Sequence, residues 1–96
     1  MIHSPSELSA HWQALERKLL SLLEQLKQTL RPETYEFALE TVDANEFGIA
    51  LHAICDELQE YGVPVPQKIY EQLEVTGRMM EMPEDTWTLL SHEATS

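Results

Sequence analysis

Only one cysteine, Cys55, stands among the 96 residues. No disulfide can close within the chain, and a reducing cytoplasm is the compartment expected. No apolar run reaches the roughly eighteen residues that a membrane-spanning helix needs. The opening MIHSPSEL carries no basic region followed by an apolar one, so no signal peptide is expected from it. Glycine is scarce, and the chain has neither a glycine-rich phosphate loop nor a nucleophile elbow. Strand-like alternation, internal repeats and low-complexity tracts are missing as well. The most informative shortage is of positive charge. Six Lys and Arg face seventeen Asp and Glu, a formal net charge of −11. From Pro32 to Gln67 there is no Lys or Arg at all, while Glu33, Glu36, Glu40, Asp43, Glu46, Asp56, Glu57 and Glu60 fall there. Such a field repels phosphate backbones and attracts basic surfaces, although acidity also serves solubility alone. Direct nucleic-acid binding is set aside, and a basic protein partner is the functional expectation.

What is present reads as helix. A chain of this length buries about 60% of its unfolded surface, enough for one domain over 1–96 with a modest core. Ser4 as cap, Pro5 at the first helical position and Glu7 completing a capping box open a long helix to Leu30. Leu8, Trp12, Leu15, Leu19, Leu22 and Leu26 form its inner stripe, widened by Leu23 and Leu30. Leu20 lies off that stripe, as a covered flank or a dimer seam. Arg31-Pro32 breaks the helix, because a residue before proline avoids the helical region. The next helix turns Tyr35, Ala38, Leu39 and Val42 inward and Glu33, Glu36 and Glu40 outward, with Phe37 among those acids.

The segment Val42–Pro66 organises the rest. Asp43 and Glu46 make a capping-box pattern, flanked by Val42 and Phe47 at staple spacing. Phe47, Leu51, Ile54, Leu58 and Tyr61 mark one inner face. Gly62 is placed to end this helix, Val63 to fold back on Leu58, and Pro64 to forbid continuation. Gly48 inside it implies the close approach of another backbone. A fourth helix, from about Pro66 to Thr76, turns Val65, Ile69, Leu73 and Thr76 inward and stops at Gly77. The Met-rich RMMEM stretch, Arg78 to Met82, fills the core or offers an adaptable surface. Pro83, Glu84 and Asp85 begin a short last helix docked by Trp87 and Leu90, and residues 91–96 form a frayed tail. The fold expected is an all-α compact bundle of about five helices with a long N-terminal helix.

Candidate chemistry is thin. His52, Cys55 and Asp56 share one helical turn and are metal-ligand types, but no paired CxxC or HxxxH spacing accompanies them. On a single helix they cannot form a nucleophilic relay, and the surrounding carboxylates disfavour thiolate activation. His3, His11, His52 and His92 are scattered. A non-enzyme is expected, with no cofactor and no metal.

The run EFGIALHAICDELQEYGVPVP and the closing MEMPEDTWTLL resemble the small immunity proteins of the MafI type, which overlap with those of contact-dependent inhibition systems. Glu46-Phe47, Ala50-Leu51, Cys55-Asp56, Leu58, Glu60-Tyr61 and the Met82–Trp87 pair carry the likeness, over about Asp43 to Leu90. His52 departs from it, where the family pattern has a carboxylate. The resemblance implies a cytoplasmic antidote that binds a polymorphic toxin's C-terminal domain, commonly a nuclease and including RNases of the EndoU type. The toxin-binding residues expected are Glu33, Glu36, Phe37, Glu40, Glu46, Ile49, Asp56 and Glu60, the acids facing a basic cleft and Phe37 and Ile49 anchoring, in a 1:1 complex without nucleic acid or membrane. The alternatives are a small helical adaptor dimerising through its N-terminal helix, and a nucleic-acid mimic aimed at another protein.

Overall fold

The computed structural model describes residues 5–90, with side chains from Ala10 onward. Ser4, the side chains of Glu7 and Leu8, and the 91–96 tail, on which parts of the sequence reading rest, lie outside that description. Five helices run in order: α1 Pro5–Leu26, α2 Pro32–Asp43, α3 Phe47–Glu60, α4 Gln67–Met79 and α5 Asp85–Thr88. The described residues contain no strand, so the all-α bundle expected from the periodicity is the fold. No described helix is long and apolar enough to cross a membrane.

The inner stripe of α1 is the floor of the core. Leu15, Leu19, Leu22, Leu23 and Leu26 are all buried, and each stabilises the fold by about 2 kcal/mol through burial. Above them α2 and α3 form an antiparallel pair, with Ala38 and Val42 from one and Phe47, Ala50, Leu51, Ile54 and Leu58 from the other. Helix α4 closes the side against α1 with Ile69, Leu73 and Thr76, and α5 plugs the end with Trp87.

Helix α1 is shorter than expected. After Leu26 the amides of Thr29 and Leu30 both return to the Leu26 carbonyl, at 2.9 Å, so a tight turn rather than another helical turn carries Leu30 into the core. The long stripe also overreaches at its other end: Trp12 is 50% exposed. Its ring lies 5.9 Å from that of Phe47, and nothing deeper receives it. Tyr61 departs from its stripe for a different reason. It is the residue just past α3, where helical periodicity has ended, and its ring lies under the Arg31 guanidinium at 5.1 Å.

The capping box at Asp43 and Glu46 does not form. Asp43 is the last residue of α2, and α3 begins only at Phe47. Asn45 adopts a left-handed backbone with φ 62°. The Glu46 amide, which the box needs as a donor, is taken by the Thr41 carbonyl at 2.7 Å, and the Asn45 amide by Val42 at 3.0 Å. Those two bonds make a Schellman closure. Helix α3 ends the same way: Gly62 has φ 58°, Val63 donates to Leu58 at 2.9 Å and Gly62 to Gln59 at 3.1 Å, as its sequence predicts. Helix α4 repeats the motif with Glu81 at φ 55°, Met82 donating to Gly77 and Glu81 to Arg78, each at 3.0 Å. Three successive helices are therefore ended by one device, using Asn, Gly and Glu in turn.

Gly77 is accordingly not a stop. It lies inside α4, and a Cβ there would sit 2.2 Å from Cζ3 of Trp87; the missing side chain is what lets the indole come this close to the helix. Gly48, read as a close-approach site, has no heavy atom within 4 Å of the equivalent point. The close-approach role that sequence alone assigns to Gly48 belongs to Gly77.

Candidate interaction surface

The antiparallel α2–α3 pair presents its outer side as one surface because the inner sides of both helices are spent on the core. From α2 come Glu33, Glu36, Phe37 and Glu40; from α3 come Ile49, His52, Asp56 and Glu60. All eight are exposed. Phe37 and Ile49 are 48% and 47% exposed, two large apolar side chains set among carboxylates. They line, with His52, Ala53, Asp56 and Met82, a groove of about 480 Å³. A shallower groove of about 210 Å³ continues it past Phe37, Ala53 and Asp56 to Glu33, Glu60 and Arg31.

Of the eight residues expected to bind a partner, the structure thus gathers Glu33, Phe37, Ile49, Asp56 and Glu60 along one strip. Glu36 and Glu40 are exposed on α2 but line neither groove. Glu46 stands at the head of α3, in a third groove that shares Ile49 and Met82 with the first. His52 Nδ1 lies 3.1 Å from Asp56 Oδ2, so this histidine occupies one carboxylate of the strip. Cys55 lies behind the surface, buried; burial first, and then the Asp56 charge, push its thiol up to about 12. Among the described residues no group of three His, Cys, Asp or Glu is placed to hold a metal ion.

Sequence reasoning did not assign Glu57 its part. It is 6% exposed and reaches from the end of α3 to the start of α2. The Arg31 amide donates to Oε2 at 2.7 Å and Arg31 Nε to Oε1 at 3.1 Å, while the Thr34 hydroxyl donates to the same Oε1. Arg31 occupies the cap position of α2 and offers no side-chain cap of its own. The carboxylate of another helix supplies it, beside the positive end of the helix dipole. Burial alone would raise the Glu57 carboxyl; the Thr34 hydroxyl and the Arg31 amide and guanidinium outweigh it and hold the acid below the usual glutamate range. The signal was available: Glu57 follows Ile54 by three residues, on the apolar stripe, and α2 lacks a local cap. The consequence for the surface is electrostatic. Arg31, the single Lys or Arg bordering the strip among the described residues, is engaged first by Glu57 and Tyr61, so little of its charge is left for the flanking acids.

No family model matches the chain, and no curated protein or solved structure matches it.

Proposed function

We propose that this chain is an immunity-type antidote, a cytoplasmic, non-catalytic protein that binds the basic nuclease domain of a bacterial polymorphic toxin and occludes its active-site cleft. The observation that carries the reading is the α2–α3 strip, where half-exposed Phe37 and Ile49 sit among Glu33, Asp56 and Glu60 with Glu36 and Glu40 alongside. A nuclease cleft is cationic because its substrate is anionic. An acidic ridge with two apolar anchors has the complement of that chemistry: the acids steer the encounter, and the anchors, once desolvated, hold it. Steering lifts association above the roughly 10⁵–10⁶ M⁻¹s⁻¹ of neutral docking, which suits an antidote that must reach the toxin before RNA does. The likeness of the Asp43–Leu90 sequence to MafI-type proteins supports the same reading, and with it an EndoU-type RNase as toxin.

The test is co-expression with a candidate partner, the C-terminal domain of the protein encoded immediately upstream of this gene. The wild-type chain is expected to co-purify with that domain and abolish its nuclease activity, whereas Phe37→Ala combined with Asp56→Lys releases both. A wild-type chain that neither binds nor inhibits refutes the proposal. The adaptor reading retains one supporting observation, Leu20, which is 42% exposed on α1; a monomer by sedimentation at micromolar concentration removes it.

A further inference from the structure

We infer that a second groove, beside the acidic strip, takes an amphipathic basic helix of the protein partner, seated apolar side down. This groove, of about 470 Å³, lies between the first half of α1, the α2–α3 turn and the α4–α5 turn. Its lining is mainly apolar, with Trp12, Phe47, Ile49, Met79, Met80 and Met82, and His11 and Asn45 beside them. Trp12 is half exposed and the three methionines are partly so. Methionine is flexible and polarisable, and a surface built from it adapts to apolar side chains of varied shape.

The rim says which helix fits. Glu46 and Glu81, both exposed, stand on it, and no Lys or Arg lines the groove among the described residues. The two acids come from the two Schellman turns that frame it. Glu81 is the informative one. Its left-handed backbone, φ 55°, is a position that glycine fills without strain. A glutamate is held there with no hydrogen bond or ion pair to its carboxylate among the described residues. The strained backbone sets an unpaired carboxylate at the mouth of an apolar groove, the arrangement that selects a cationic, amphipathic ligand. Ile49 and Met82 belong to both grooves, so the helix would lie against the partner surface engaged by Phe37. The inference rests on the proposed function only for the identity of the partner that carries this helix; the sign of the helix's charge is read from the rim.

The probe is a synthetic lysine–leucine amphipathic helix without tryptophan, titrated into the full chain while tryptophan emission is followed. Trp87 is fully buried and Trp12 half exposed, so a ligand in this groove shifts the Trp12 component to the blue. The expected result is saturable binding that weakens with salt, and that Glu46→Lys with Glu81→Lys weakens about tenfold while Glu36→Lys with Glu40→Lys changes it by less than about twofold. Both pairs are exposed, and unchanged helical circular dichroism verifies the fold. No blue shift, equal losses in the two variants, or equal binding of a glutamate–leucine helix overturns the inference. Toxin inhibition is read separately. Inhibition retained by a chain that does not bind the probe overturns the groove alone; probe binding by a chain that does not inhibit overturns the nuclease reading and leaves the groove supported.

Discussion

Replacing Gly77 with alanine separates what local propensity favours from what packing allows. In a helix interior alanine is better than glycine by up to about 1 kcal/mol, so the substitution should stabilise α4 if nothing else intervened. The added Cβ would meet Cζ3 and Cε3 of Trp87 at 2.2 and 2.6 Å. Neither atom is the end of a flexible chain; both belong to a rigid indole that is fully buried and covered by the Arg78 guanidinium, 5.5 Å from the ring centroid. Relief requires the ring or the α4 backbone to shift, and overpacking of this kind costs about 3 kcal/mol. Set against the propensity gain, the variant is expected to lose about 2 kcal/mol, on the order of 10 °C in midpoint temperature. Thermal and urea unfolding followed by circular dichroism measures it, with Gly48→Ala as the control. No heavy atom lies within 4 Å of a Cβ at Gly48, so that change should be neutral or stabilising by up to about 1 kcal/mol. A Gly77→Ala protein as stable as the parent refutes the seating of Trp87 on α4.

Glu57→Gln keeps the side-chain shape and removes the charge that Arg31 and Thr34 address, and is expected to destabilise the fold by about 1–2 kcal/mol at neutral pH. Because the folded carboxyl is held below its unfolded value, that difference is fully present above about pH 5 and shrinks as pH falls through the folded value; urea unfolding of both proteins at pH 7 and pH 3 reads it, and a gap that does not narrow contradicts the assignment. Glu81→Gly should relieve the left-handed backbone and raise stability by about 1 kcal/mol, measured in the same assay, with a loss contradicting the strain argument. Cys55, buried and with its thiol pushed up to about 12, should react with a disulfide reagent at pH 8 only as fast as the protein opens; a fast, denaturant-independent rate would show the thiol to be accessible.

The elements legible in the sequence were those set by neighbours within one turn or by a rigid residue. Pro32 and Gly62 fixed their helix boundaries because a proline ring and a left-handed residue act locally. The leucine stripe of α1 and the inner residues of α3 and α4 followed from periodicity. Periodicity alone does not say where the opposing surface stops, and for that reason Trp12 and Tyr61 were placed inside. The capping box at Asp43 was lost to a competing use of the same amide, since Glu46 N–H completes the end of α2. Gly77 was misread because its reason lies at Trp87, ten residues away and on another helix. On the candidate surface, helical spacing brought Phe37 and Ile49 outward correctly. What spacing does not give is how two helices lie beside each other. The grouping of Glu33 with Asp56 and Glu60, and the separate positions of Glu36, Glu40 and Glu46, became visible only with α2 and α3 packed.

Steering and capture of a basic toxin domain by the carboxylates of α2 and α3, as proposed, would show in stopped-flow association as a function of salt. The wild-type chain and a variant reversed at Glu33, Glu36, Glu40 and Asp56 are each mixed with the cognate toxin domain. The wild-type rate constant is expected to fall steeply with ionic strength, and the variant rate to be at least about tenfold lower at low salt with a much flatter dependence. Superimposable salt profiles for the two proteins would contradict it.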